Sequence, residues 1–408
     1  MTIRPTETPP ARLLGSLDRG RPGPTVVLLA GLHGNEPAGT RAIPAVIEKL
    51  RRQELPLRGR IVGLAGNLGA LAASRRHLAR DLNRGWTRDE VVSLLAHDSP
   101  RRLPEDDEQR ALLRAIAPLL AGAQEPVVFL DLHSTSGDSP PFTVMADVLR
   151  NRPLGLALPL PLILGVEEIL DSTALGYLCD LGHVAVAVEG GRNGDPRTLA
   201  NHDAAIWIAL VASGAMDAAD VPDLPACRAQ LAESSRGLPS VVEIRHRHRV
   251  AEGDGFAMRP GWAGFKPVSR GEIVADDSRG PIRAPESGYM LMPRYQGQGE
   301  DGYFVARAVS PFWLQLSAWL RRGRLDRLVP LLPGVRRDPR GADRYWIDRR
   351  VARWQVVNVF HLFGYRHVRL EGGRLAFSRR RPGFRRLDGL PAELAPLASE
   401  GLGTPLAL

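Results

Sequence analysis

The chain has 408 residues, 44% of them hydrophobic and 24% charged, which is the make-up of a soluble globular protein of two or three domains and excludes a disordered or fibrous one. Its apolar runs stop far short of the ~18 residues a membrane helix needs, and its two cysteines, Cys179 and Cys227, are too few and too far apart for a zinc ribbon or a disulfide framework. The net charge of +9 is concentrated at one end: from Arg321 onward nineteen Arg face eight Asp plus Glu, and the rest of the chain is near neutral.

Residues 1–24 are polar and Pro-rich, without the basic segment and apolar stretch of a signal peptide, so a cytoplasmic location is the expectation. Apolar runs at Thr25 to Ala30, Arg60 to Ala65, Val127 to Leu132, Leu160 to Leu164 and His183 to Val188 have strand length and are mostly bounded by Gly or Pro. Between them, Ala38 to Arg52 and Glu105 to Leu120 carry apolar residues at helical spacing, and Pro196 opens a further helix through Ala204, Trp207 and Ile208. Continuous apolar strands separated by helices predict an α/β fold, a mixed and mostly parallel sheet covered on both faces. From about Val241 to Val309, short runs between Gly and Pro turns predict a small β domain. Beyond Ser310, Ile347, Val351, Trp354, Val357 and His361 share a helical face, and Val368 to Leu370 and Leu375 to Phe377 flank Gly372-Gly373 as a hairpin. The expected division is a catalytic domain over 1–230, a β domain over 231–310 and an Arg-rich helical and hairpin appendage over 311–408.

Three strand ends carry the chemistry. The first runs into Gly31-Leu32-His33-Gly34-Asn35-Glu36, the second ends in Asp131-Leu132-His133-Ser134, and the third in Val188-Glu189-Gly190-Gly191. In a mostly parallel sheet these groups gather at one edge, beyond the strand C-termini. Two His and one Glu form a standard ligand set for a catalytic zinc that leaves the fourth position to water. Zinc brings the pKa of that water toward ~7. Glu189 is the free carboxylate that can act as general base, and Asp131, on the same strand face as His133, can orient that imidazole. An HxxE pair alone arises often by chance; its joint occurrence with the other two strand ends is the signal.

These segments, together with Gly66-Asn67 and with Arg76 followed by Asp81-Leu82-Asn83-Arg84, resemble the succinylglutamate desuccinylase and aspartoacylase family, a branch of the zinc carboxypeptidase superfamily, over about residues 25 to 310. The resemblance implies one Zn2+ per chain on His33, Glu36 and His133, with Glu189 activating the water and Arg76 polarising the scissile carbonyl. It also implies that Asn83 and Arg84 grip a substrate carboxylate, a role that suits a guanidinium able to form two parallel hydrogen bonds. Asp81 is then expected to brace the loop, Arg80 to face solvent, and His77, His183 and Cys179 to be surface or packing residues. The implied activity is hydrolysis of an amide in a small N-acylated amino acid or related carboxylate, the alternative being a carboxypeptidase acting on a peptide C-terminus.

The pattern departs from the family in one respect. Aspartoacylase-like members carry a second arginine shortly before the catalytic glutamate, whereas Glu167 to Val188 contains none, so a dicarboxylic substrate is not expected; Arg192 is the substitute to consider. In the β domain, Tyr303 is the expected substrate-binding tyrosine, with Tyr289 as the alternative. The basic tail has no counterpart in the family core. Its favoured reading is an appendage with a solvated Arg face, set against an electrostatic contact with nucleic acid, an anionic membrane or an acidic partner.

Overall fold

The computed structural model describes residues 11–96, 102–170, 172–323, 325–338, 344–347, 360–371, 374–379 and 390–399. Its frame is one eleven-stranded sheet. Seven strands come from the first half of the chain: β1 (Leu13–Asp18), β2 (Thr25–Ala30), β3 (Arg60–Ala65), β4 (Val128–Thr135), β5 (Phe142–Met145), β6 (Leu162–Leu164) and β7 (Val184–Arg192). The central run β3-β2-β4-β7 is parallel throughout. Antiparallel β1 closes one side and antiparallel β5 the other. The mixed, mostly parallel sheet expected from the apolar runs is therefore present; β1, its apolar run broken by Gly15-Ser16, and β5, only four residues long, complete it.

Strand alternation sends side chains to two separate cores. Val26, Leu28 and Ala30 face one, Val27 and Leu29 the other. The first is covered by α1 (Ala38–Arg52), with its buried Ala42, Ile43, Val46, Ile47 and Leu50. α8 (Pro196–Ala212) and α9 (Leu224–Ser234) complete that layer. The second lies under α4 (Pro104–Ala121) and α7 (Ala174–Asp180). Of the shorter helices, α2 (Leu68–Ala72) follows β3, α3 (Arg88–Ala96) precedes α4, and α5 (Arg152–Ala157) and α6 (Val166–Ile169) flank β6. Among the described residues no helix is long and apolar enough to cross a membrane.

The β region does not stand apart. β8 (Val241–Arg249), β10 (Pro267–Val268), β13 (Gly288–Leu291) and β14 (Asp301–Ala308) extend the main sheet in the order β6-β8-β14-β13-β10. Only β9 (Ala257–Met258), β11 (Ile273–Asp277) and β12 (Gly280–Arg283) form a separate three-stranded sheet.

The appendage is described in part. It holds α10 (Pro311–Arg322), then a four-stranded antiparallel sheet of β15 (Val335–Arg337), β16 (Arg344–Ile347), β17 (Tyr365–Glu371) and β18 (Arg374–Arg379), and α11 (Ala395–Ser399). The expected hairpin is β17–β18. Ile347 lies in a strand, and the remainder of the expected helical face, apart from His361, falls outside the described residues.

Buried charges fasten this appendage to the body. Asp147, just after β5, accepts from Arg152 Nε (2.9 Å) and from Arg321 Nη2 of α10 (2.6 Å), while Arg152 also donates to the Leu314 carbonyl and Ser317 Oγ. His361 lies between Glu243 Oε1 (3.0 Å) and Glu168 Oε2 (3.1 Å) of α6. Burial opposes charge on His361, yet the two carboxylates outweigh it and raise its pKa to about 9.

Two outcomes test these anchors. Asp147→Ala strips a shared acceptor from two buried guanidinium groups and is expected to cost about 3–5 kcal/mol in urea unfolding. The stabilisation from charged His361 is full below its ordinary 6.5 and disappears as pH rises through about 9; His361→Gln should flatten the unfolding free energy across that window, with Arg245 and Arg307 left to serve Glu243.

Candidate active site

The turn after β2 must fold tightly to return into α1. Gly31 takes φ +66°, a conformation L side chains rarely adopt. Gly34 sits against α2 so closely that a Cβ there would fall 2.0 Å from the Ala70 carbonyl carbon. This turn delivers His33 and Glu36 to the C-terminal edge of the sheet, where β4 presents His133 and β7 presents Glu189. His133 and Glu189 are direct partners on neighbouring parallel strands.

Ligating atoms of His33, Glu36 and His133 lie within 4.8 Å of one another, and all three residues are buried. Glu36 stands between the two rings, with Oε1 2.9 Å from His33 Nδ1 and Oε2 3.0 Å from His133 Nδ1. Behind each imidazole is a carboxylate: Asp131 Oδ2 lies 2.8 Å from His133 Nε2, and Asp81 Oδ1 lies 3.2 Å from His33 Nε2. Burial disfavours charge on every member. The carboxylates nevertheless raise both imidazoles above their ordinary value, and the imidazoles pull Glu36 below the usual carboxylate range. Two imidazoles and a carboxylate, each ring backed by an acid on its far nitrogen, form the donor set that a divalent transition metal takes.

Glu189 behaves differently. Its Oε2 is buried without a hydrogen-bond partner. Burial, aided by the nearby Glu36 charge, pushes its carboxyl up to about 7, against the pull of the imidazoles and Arg76. A carboxyl near neutrality at the mouth of a donor set is suited to accept and return a proton.

Arg76 reaches the same pocket, with Nη2 donating to Asp81 Oδ2 (2.9 Å) and Nη1 3.6 Å from Glu36. Asn83 and Arg84 line it as well. Asn83 Oδ1 accepts from the Ala174 amide at the start of α7, and Arg84 Nη2 donates to Asp301 (3.1 Å). Asp81 thus does more than brace a loop, since it joins His33 to Arg76. Arg80 is engaged rather than solvated, donating to Asp106 and Gln109. His183 and Cys179 are buried packing residues, as expected, with His183 Nδ1 accepting from the Val127 amide.

Several contributors were not apparent from sequence. Glu105, fully buried at the start of α4, accepts from the amides of Leu78, Ala79 and Arg80 and from Asn67 Nδ2, which locks the segment between Arg76 and Arg84 to the body. An acid in the first turn of a helix is common, so its role had no separate signal. His202 of α8 donates from Nε2 to the His133 carbonyl (2.8 Å), and burial lowers its pKa to about 4, keeping it neutral. The segment 292–301, between β13 and β14, supplies Met292, Pro293, Gln296, Gln298 and Asp301 to the pocket.

Tyr303 is not brought to the site. It is fully buried in the core of the β region, stacked on His248 at 5.1 Å, because alternation along β14 turns Tyr303 and Val305 inward and gives the pocket face to Phe304. A register irregularity between Asp301 and Tyr303 lets Asp301 share the pocket with Phe304. Tyr289 does not line the pocket either, and Arg192 is exposed outside it.

Comparison with known proteins agrees with this architecture. Residues 22–151 match the succinylglutamate desuccinylase/aspartoacylase catalytic domain. The chain is 34% identical over 77 residues to the succinylglutamate desuccinylase of Burkholderia pseudomallei, covering 19% of this chain and 22% of that protein. It is 40% identical over 60 residues to that of Yersinia enterocolitica, covering 15% and 18%. The matched stretch thus spans about a fifth of those relatives' length. Among solved structures, the succinylglutamate desuccinylase of Vibrio parahaemolyticus aligns with a TM-score of 0.53 at 16% identity, covering 72% of this chain and 84% of that one. A succinylglutamate desuccinylase/aspartoacylase from Rhodobacter sphaeroides aligns at 0.50 and 20%, covering 71% and 87%. The sheet seen here is theirs, and the part of the chain that matches the succinylglutamate desuccinylase/aspartoacylase catalytic domain, residues 22–151, is the part that carries His33, Glu36 and His133.

Proposed function

We propose that the chain is a zinc-dependent hydrolase of the amide bond in a small N-acylated amino acid or related carboxylate. The observation that carries this reading is the buried His33, Glu36 and His133 cluster with the unpartnered carboxylate oxygen of Glu189 beside it. One zinc ion on those three side chains would supply Lewis acidity, lowering the pKa of water toward about 7 and drawing electron density from the scissile carbonyl. Glu189 takes the proton of the attacking water and returns it to the departing amine nitrogen. Arg76 sets permanent positive charge where the carbonyl oxygen becomes negative, and its ion pair with Asp81 holds that charge in place. Arg84 and Asn83 hold the substrate carboxylate, Arg84 sharing its charge between the substrate and Asp301. Asp131 and Asp81 fix the two imidazoles before substrate arrives, and His202 holds the backbone carbonyl of His133.

A carboxypeptidase reading gains support from an open cleft of about 1400 Å³ that adjoins the pocket and shares Arg84, Arg294, Gln296 and Gln298 with it. Peptides turned over as fast as free N-acyl amino acids would favour that rival.

Two measurements test the main reading. Glu189→Gln should lower kcat by about 10²–10⁴-fold while zinc content and melting temperature stay at the wild-type level; wild-type turnover in this variant would end the assignment. Zinc at 100 times its Kd should add about 2.7 kcal/mol to the unfolding free energy of metal-stripped protein, an increment that EDTA reverses and that His133→Ala lacks.

A further inference from the structure

The pocket has two unlike halves. One holds the metal-type donor set, Arg76, Arg84 and Asp301; the other continues down β7 from Glu189. Period-2 alternation places Ala187 and Ala185 on the Glu189 face, each about 6.6 Å further along the strand. Two methyl side chains make a floor with little bulk. Val144, paired with Ala187 across β5, bounds that floor on one side. Leu170 after α6, Leu175 in α7 and Phe304 of β14 enclose the rest. These walls are the margins of two apolar cores, Leu175 and Ala185 belonging to one, Val144, Leu170 and Phe304 to the other.

Charge is distributed the opposite way. The described cations of the pocket are Arg76, Arg84 and Arg294, together with any charge on the two imidazoles. Arg76 is engaged by Asp81 and Glu36, Arg84 by Asp301, and Arg294 donates to the Gly299 carbonyl with its guanidinium 4.9 Å from the Phe256 ring. None of the lining residues from β5, α6, α7 or β7 is a cation. A carboxylate placed on Ala185 and Ala187 would lose its hydration without gaining a partner, a cost of several kcal/mol. An apolar group placed there gains about fourfold in equilibrium constant for each methylene removed from water. The whole pocket, both halves together, has a volume of about 180 Å³, room for about six atoms the size of a water molecule, so the apolar half admits only about half that number.

We propose that this half of the pocket is an apolar specificity site, floored by Ala185 and Ala187 and walled by Val144, Leu170, Leu175 and Phe304, that selects N-acyl amino acids bearing a small neutral apolar group of about two or three carbons. The proposal rests on the hydrolase reading above and names its substrate class. The apolar group is either the acyl chain or the amino-acid side chain, and two substrate series separate these sources. One lengthens the acyl group from acetyl to hexanoyl on alanine; the other lengthens the side chain from N-acetylglycine to N-acetylnorleucine. N-succinylglutamate and N-acetylaspartate serve as dicarboxylic comparators.

With the zinc-loaded full chain, kcat/KM is expected to climb about fourfold per added carbon in one series over the first two steps and then level off, and to exceed both dicarboxylates by at least tenfold. Ala187→Leu fills the floor and should reduce the ratio of long to short substrates in that series at least tenfold. Where that variant fails to fold, calorimetric titration of the wild-type protein with N-alkyl amino acids, amines that cannot be hydrolysed, should show affinity and a negative heat-capacity change both growing with chain length. Flat responses in both series, or preference for a dicarboxylate, overturn this proposal and leave the hydrolase reading standing. Turnover of none of these compounds removes both.

Discussion

The structure depends on a carboxylate, Glu36, held between two imidazoles that come from different strands. Nothing about that arrangement is favourable by burial alone, since each group is driven toward neutrality when water is removed. It persists because every ring nitrogen has an acidic neighbour: Nδ1 of both rings meets Glu36, Nε2 of His33 meets Asp81, and Nε2 of His133 meets Asp131. The parallel sheet makes this convergence inexpensive in conformational terms. Its strand ends lie side by side about 4.8 Å apart, so short turns after β2 and β4 bring distant sequence positions into hydrogen-bond range.

A second layer of constraint comes from α4. Glu105 gathers three successive amides into one carboxylate, which gives the Arg76 to Arg84 segment a fixed path although it has no long regular element of its own. Asp81 then ties this path to the donor cluster through His33. Rigid positioning of a loop by a buried anion differs from rigid positioning by a strand, because its strength depends on the acid staying charged; the backbone donors keep Glu105 below the usual carboxylate range despite its burial.

How much was legible in the sequence follows from the kind of signal each feature leaves. Strands buried on both faces leave continuous apolar runs, and β2, β3, β4 and β7 were all found that way. The clustered residues His33, Glu36, His133 and Glu189 were legible because each sits at such a run's end, next to glycine or a second polar group. β5, four residues long, leaves too little pattern to read. Tyr303 shows the sharper limit: chemistry recommends a tyrosine, but strand phase decides which face a residue serves, and one register irregularity at Asp301 moves that phase by a residue. Phe304 rather than Tyr303 therefore meets the pocket. Arg80 and Asp81 were underestimated for a related reason, since their partners Asp106 and His33 are distant in sequence and an ion pair leaves no periodicity.

The anchoring of the appendage has a structural corollary. Arg321 grips Asp147, next to Ala146 of the pocket wall, and His361 grips Glu168, two residues before Leu170. Two segments that border the apolar half of the pocket are therefore held from behind by Arg321 and His361. Removing Arg321 or His361 would leave Asp147 and Glu168 without those buried partners beside the pocket wall, so the appendage is part of the scaffold behind the site and not only an addition to it.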